Sequence, residues 1–210
     1  ETPLPEAARA AAVLLIELAP VSQLSVAERR ELKSRVVTAL CRSYLNLGIL
    51  QAQQERFEPA AELFAKAAAL DPDFPQLQSS LGIAYFNARH FDKATGPLLR
   101  ALATNPHDAG LSRMLALAWL NTQAYAKAAE LLQDDPQREV DPSLQFAYGL
   151  ALVKSDRAPE AERIFAKLLA RHGDSPELSV VLGQAHAQQG NFDAAITSLE
   201  HALALKPEAA

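Results

Sequence analysis

Apolar residues fall at helical spacing through most of the chain. Leu77, Leu81, Ala84 and Tyr85 step by 4, 3 and 1, and Ala94, Leu98, Ala101 and Leu102 do likewise. Such steps bring side chains to one face of a helix. Short polar turns, such as Ala88-Arg89-His90, separate consecutive helical stretches. Each stretch and its neighbour therefore read as an antiparallel helix hairpin, with too little core to fold alone. Ala and Leu dominate while Val, Ile and Thr are sparse, which favours helix over sheet.

A second, longer period runs through the same positions. Gly48, Gly82, Ala116, Gly149 and Gly183 are spaced 34, 34, 33 and 34 residues apart. Twelve residues after each stands another small residue: Ala60, Ala94, Ala128, Ala161 and Ala195. Four further on comes a large apolar one: Phe64, Leu98, Leu132, Phe165 and Leu199. Three before each second Ala stand Phe57, Phe91, Tyr125, Ala158 and Phe192. A small side chain lets two helices approach, so Gly48 and Ala60 mark where paired helices should cross, with bulky residues filling the space beside them. Pro72, Pro106 and Pro207 close three of the repeats, since proline cannot continue a helix. Ser175-Pro176-Glu177 and Asp141-Pro142 carry start signals, an N-cap followed by Pro at the first helical position.

The third repeat departs from the pattern. Asp135 stands where a small residue belongs, Pro136 follows, and one residue is missing between Leu132 and Gly149. Its second helix should end near Asp134, with an irregular loop over 134–141, a tolerated defect or a hinge. Asp134-Asp135 reads as part of a solvated loop rather than as an acid/base couple.

Residues 1–40 lie outside the repeat. Residues 5–19 read as a short helix that only Glu6, Arg9 and Glu17 interrupt, so it must be covered on most sides. Residues 6–19 are expected to cap the first repeat, or else to occupy a groove of their own chain or of a neighbour, making a homo-oligomer or an intramolecular contact; a third reading is the remnant of a membrane-targeting or linker segment. Ser25 with Glu28 at capping-box spacing starts another helix, which could run unbroken from 26 to about 54. At the other end, the sequence stops where another repeat would begin, and further repeats are expected beyond residue 210, the alternative being that another chain covers this end.

These small and bulky positions resemble those of the tetratricopeptide repeat (TPR), over residues 41–209. The stretch from Leu182-Gly183 through Gly190-Asn191-Phe192-Asp193-Ala194-Ala195 to Lys206-Pro207 is close to a consensus unit. Gln51 and His186 stand where the family usually has an aromatic. The resemblance implies an all-α, right-handed α-solenoid of about five helix-turn-helix units, at about 41–74, 75–108, 109–141, 142–175 and 176–209, preceded by the N-terminal helical extension 1–40. In such arrays the first helices line a concave groove. Carried over, the groove would hold Ile49, Ile83, Phe86, Asn87, Arg113, Leu117, Leu120, Asn121, Phe146, Leu150 and Val153. Its middle would be apolar, suited to an amphipathic helix or an extended segment with apolar anchors. Alternatively, several of these side chains turn into the interhelical core, and Asn87 and Asn121 merely finish helices. The Lys, Arg and Asn set with which chaperone-binding members clamp a terminal carboxylate is not reproduced, although Arg113 is present.

Charge and chemistry narrow the function further. The net charge is −5, with no Lys/Arg cluster, against the basic surface that phosphate neutralisation demands of a nucleic-acid binder. No apolar run reaches the ~20 residues that span a bilayer. Cys41 is the single cysteine, and His90, His107, His172, His186 and His201 are scattered without paired ligands. No phosphate-cradling loop or nucleophile elbow is present. The expectation is a non-catalytic adaptor or scaffold of bacterial origin, soluble in cytoplasm or periplasm, without cofactor, binding a protein or peptide in its groove. The alternative is a self-associating, spacer or regulatory TPR domain of a larger protein.

Overall fold

The computed structural model describes residues 24–173 and 175–205. Among them it has ten α-helices and no strand: α1 (Val26–Gln53), α2 (Phe57–Leu70), α3 (Leu77–Asn87), α4 (Phe91–Thr104), α5 (Ala109–Asn121), α6 (Tyr125–Gln133), α7 (Pro142–Lys154), α8 (Ala158–His172), α9 (Pro176–Gln188) and α10 (Phe192–Leu205). The expectations placed on residues 6–19 lie outside the described residues.

Helix starts follow the sequence signals. The Ser25 hydroxyl accepts the Glu28 amide, and the Glu28 carboxylate accepts the Ser25 amide at 2.8 Å. This reciprocal box opens α1, which runs 28 residues without a break. Asp141 caps α7 by accepting from Ser143 N and Leu144 N, and Ser175 caps α9 by accepting from Leu178 N, each with proline just inside. In α4, Pro97 lies in the helix interior, where its missing N–H leaves one turn without its bond.

The hairpin turns share one backbone device. Glu55, Arg89, Gln123, Asp156 and Gly190 all have left-handed φ, between 58° and 77°. The amide after each reaches five residues back: Arg56 N to Gln51 O, His90 N to Tyr85 O, Ala124 N to Trp119 O, Arg157 N to Leu152 O and Asn191 N to His186 O, at 2.8–3.0 Å. This closure satisfies carbonyls that a helix end would otherwise leave without partners.

The small-residue positions are the helix crossings. A Cβ added at Gly48 would lie 2.4 Å from the Phe64 ring, at Gly149 2.6 Å from Phe165, at Gly82 2.8 Å from Leu98, and at Gly183 2.9 Å from Leu199. Ala116, in the same position, is fully buried, as are Ala60, Ala94, Ala128 and Ala161. Phe64 and Phe165 are the largest fully buried side chains, each pressed over the glycine of its partner helix.

The chain divides into two compact parts, residues 1–111 and 112–210, the division falling inside α5. In the first, α1 packs on α2, α2 on α3 and α3 on α4, and α1 also meets α3. Its core gathers Cys41, Leu45, Phe64, Leu77 and Leu81. In the second, α6 packs on α7, α7 on α8, α8 on α9 and α9 on α10, and α7 also meets α9. Its core is built on Leu132, Leu152, Phe165 and Leu168. In each part first helices lie against first helices of the next repeat, the layering of an α-solenoid. The third repeat's second helix, α6, spans only nine residues and stops at Gln133, with Asp134 as its C-cap. The shortening expected from Asp135-Pro136 is therefore present.

A candidate partner-binding surface

In the N-terminal part, three of the groove residues named from sequence meet in one recess. Ile49 of α1 and Ile83 and Asn87 of α3 line it together with Ala52, Gln53, Phe57, Phe64, Ser80 and Ala84. Its cavity volume is about 290 Å³, near the lower end of small-ligand sites. Helical spacing explains the convergence, because Ile49, Ala52 and Gln53 follow one another on one face of α1, as do Ser80, Ile83 and Asn87 on α3. The floor is apolar, with the buried Phe64 ring beneath Ile49 and Ile83. The rim is polar but uncharged: the Gln53 and Asn87 carboxamides and the Ser80 hydroxyl. Phe86 is not among the lining residues. It is half-buried, and its ring packs edge-on against Phe91 at 5.4 Å.

The C-terminal part treats its share of the groove residues differently. Val153 is fully buried within the core. It cannot face a ligand, and placing it in a groove is corrected. Leu117, Leu120, Phe146 and Leu150 are half-buried and pack against that core. Asn121 donates its side-chain amide to Leu117 O at 2.8 Å, which finishes α5.

Arg113 is also committed. Its Nε and one terminal nitrogen donate to the two Asp135 carboxylate oxygens at 2.9 and 3.2 Å. Asp135 in turn accepts the Gln137 amide at 2.8 Å. The Asp135 side chain is only 3% exposed, so reading Asp134-Asp135 as solvated is corrected for Asp135. The residue that broke the repeat pattern is the anchor of the 134–141 loop. Arg113 beside it holds the Asp135 carboxyl below the usual carboxylate range, helped by the Gln137 amide and by the charge of Arg138. Arg138 lies over the Tyr148 ring at 4.7 Å and donates to Gln133 O. Gln145, itself buried, donates to Glu139 O at 2.8 Å. These bonds fix the loop and commit the Nε edge of the Arg113 guanidinium to Asp135.

A second cleft, of about 570 Å³, opens beside Phe146. Pro176, Glu177, Val180 and Val181 of α9 and Leu199, Ala202 and Leu203 of α10 line the rest. Sequence reasoning missed Leu199 and Leu203, because the residues equivalent to Leu199 in earlier repeats are all buried. Leu199 is 40% exposed and Leu203 53%.

Reactive chemistry is sparse. Cys41 is fully buried, and burial raises its thiol pKa, with Asp71 adding to the rise. It is therefore a weak nucleophile. Among the described residues no cluster of three His, Cys, Asp or Glu could hold a metal ion, and no helix is long and apolar enough to cross a membrane.

Helix pairs crossing at small residues, with one period of 34 residues, define a repeat family, and comparison with known families agrees. Two tetratricopeptide-repeat profiles match, one over residues 79–138 and 146–210, the other over 42–74. The chain belongs to the tetratricopeptide repeat family. TPR arrays are scaffolds for protein interaction, and that is the general role of this chain. No curated protein matches the sequence. Among solved structures, MamA (MSR-1) is similar at 24% identity, covering 81% of this chain and 98% of its own, with a TM-score of 0.67. YrrB, described as a TPR protein with an unusual peptide-binding site, is 21% identical over 80% of this chain and 87% of its own, with a TM-score of 0.67. MamA from Desulfovibrio magneticus RS-1 is 16% identical over 80% and 96%, with a TM-score of 0.64. At these identities the likeness concerns the fold.

Proposed function

We propose that this TPR chain is a non-catalytic adaptor that binds a short helical or extended segment of a partner protein through the recess between α1 and α3. A Leu, Ile, Met or Phe of the partner enters between Ile49 and Ile83, over the Phe64 ring. The Asn87 and Gln53 carboxamides bond the flanking backbone, since each offers both donors and an acceptor. The observation that carries this reading is the convergence of Ile49, Ile83 and Asn87 on one open apolar recess with an amide rim. The peptide-binding site named for YrrB is a parallel in the same fold. The rim holds no ionised side chain, which favours apolar anchors over a terminal carboxylate or a phosphate.

The experiment is a display selection of random 15-residue peptides on the wild-type chain, with counter-selection on an Ile49→Glu/Ile83→Glu variant of unchanged helicity. The proposal expects enriched peptides that share an apolar anchor, bind the wild type and bind the variant at least tenfold more weakly. Enriched peptides that bind both proteins equally would refute it.

A further inference from the structure

Beside the recess, the first part of the chain holds a larger notch. It has a cavity volume of about 630 Å³ and lies between the 71–76 loop, the end of α4 and the start of α5. Bonds within each wall hold its shape. In the loop, the Asp73 amide donates to Asp71 Oδ1 at 3.1 Å, and the Gln78 side chain donates to Pro72 O at 2.6 Å. Across the notch, Thr104 Oγ1 donates to Arg100 O at 3.1 Å, and Asp108 Oδ1 accepts the Leu111 amide at 3.0 Å. A site already held in this way needs little ordering when a ligand enters.

The notch continues the recess along α3. Ser79 lines the notch and Ile83 the recess; four residues apart, they stand one turn from each other on one face. Gln76, also in the notch, lies about a turn further back. A segment crossing this face therefore passes from recess to notch within about 6–10 Å. The charges of the two places differ. Asp73, Asp108 and Arg100 line the notch, two carboxylates against one guanidinium, whereas the recess rim is uncharged. None of the three is in an ion pair among the described residues. The last turn of α4 also lines the notch, ending at Thr104. Pro106 has no N–H to give that turn, and a helix C-terminus favours a cation. Pro72, Phe74 and Pro75 supply an apolar wall. Lys and Arg lay their stems along such walls and keep the charged head outside.

We propose that this notch is a second subsite for the partner segment and takes a Lys or Arg side chain. On a helical segment that residue stands one or two turns from the apolar anchor; on an extended one it stands about two or three residues away. The proposal rests on the recess as the anchor site and adds the partner's charge. The cationic head sits by the Asp73 carboxylate and the second Asp108 oxygen, with its stem along Phe74 and the two prolines. Arg100 opposes it, so Asp73 and Arg100 act with opposite sign. The net charge of −5 over the chain steers the same kind of partner.

The test measures peptides selected on the wild-type chain against Asp73→Lys and Arg100→Glu, two exposed positions where substitution leaves the core untouched. The proposal expects the enriched peptides to share a Lys or Arg at the stated spacing from an apolar residue. It expects Asp73→Lys to weaken them at least tenfold and Arg100→Glu to strengthen them at least twofold. Reversed signs, which would mean an acid paired with Arg100, overturn the proposal. So does indifference to both substitutions, or enrichment without the basic residue; peptides of that kind that are still lost on Ile49→Glu/Ile83→Glu would uphold the recess alone. If no peptide depends on the recess, Nα-acetyl-lysine methylamide is titrated into isotope-labelled protein beside its glutamate counterpart. Saturable amide shifts over 73–76 and 103–108 from the lysine compound, lost in Asp73→Lys, uphold the notch without the recess. No such shifts, or equal shifts from the glutamate compound, overturn it.

Discussion

Two Gly→Ala substitutions in helices of this chain should differ sharply in cost. Removing glycine from a helix interior gains up to about 1 kcal/mol of backbone propensity. At Gly96 in α4 an added Cβ would meet nothing within 4 Å beyond its chain neighbours, but Pro97 follows and its ring crowds a Cβ on the preceding helical residue, which offsets the propensity gain and leaves Gly96→Ala within about 0.5 kcal/mol of neutral. At Gly149 in α7 the same Cβ would lie 2.6 Å from two carbons of the Phe165 ring. That ring is fully buried and cannot swing into solvent, so α7 and α8 must move apart. Overpacking of this kind costs about 1–3 kcal/mol, and after the propensity gain Gly149→Ala destabilises by about 1–2 kcal/mol. Gly183→Ala should cost less, because the opposing Leu199 is partly exposed and can shift. Urea denaturation followed by circular dichroism measures the midpoints, compared at equal slope. If Gly149→Ala costs no more than Gly96→Ala, close helix approach is not what selects the small residue, and the reasoning about the repeat fails.

Other substitutions separate the loop anchor, the core and the turns. Asp135→Ala removes both Arg113 bonds and the Gln137 bond and should cost about 1.5–3 kcal/mol; hydrogen exchange should show 134–141 opening first. Because folding depresses the Asp135 pKa, its contribution is complete above the unfolded value of about 3.9 and is lost as pH falls through the folded value. Asp135→Asn should therefore flatten the acid limb of a stability–pH curve. Val153→Ala should lower stability by about 1–2 kcal/mol and leave peptide affinity unchanged, whereas Ile83→Ala should do mainly the reverse. Gln123→Gly relieves a left-handed residue, φ 62°, and should be neutral to stabilising by up to about 1 kcal/mol in thermal melts.

The repeat was legible because its constraints are local and steric. A small residue beside a bulky apolar one recurs in each repeat, so the crossing at Gly48 and Ala60, with Phe64 filling the space beside it, could be read from spacing alone. Caps were legible for the same reason, as at Ser25, Asp141 and Ser175. The left-handed turn residues were not, since only Gly190 of the five advertises its φ with a glycine. The binding residues were partly legible. Position within a repeat brought Ile49, Ile83 and Asn87 to one recess, but it could not say that Val153 turns inward, for a few tens of degrees of helix rotation decide that. The Arg113 ion pair was missed because its partner Asp135 lies in the one stretch where the period slips, and a pairing across such a stretch leaves no periodic signal. Leu199 and Leu203 were missed because burial in the earlier repeats depends on a following helix that the described residues do not place there.

Isoleucine methyl groups offer the most direct test, since Ile49 and Ile83 line the recess, Ile164 packs against the C-terminal core, and Ile196 lies exposed on α10. A selected peptide should be titrated into methyl-labelled protein, with the δ1-methyl resonances followed at constant protein concentration. The account predicts saturable shifts at Ile49 and Ile83, absent in Asn87→Ala or much weakened there, with Ile164 and Ile196 unmoved. Shifts confined to Ile164 or Ile196, or binding that leaves Ile49 and Ile83 unchanged, would contradict it.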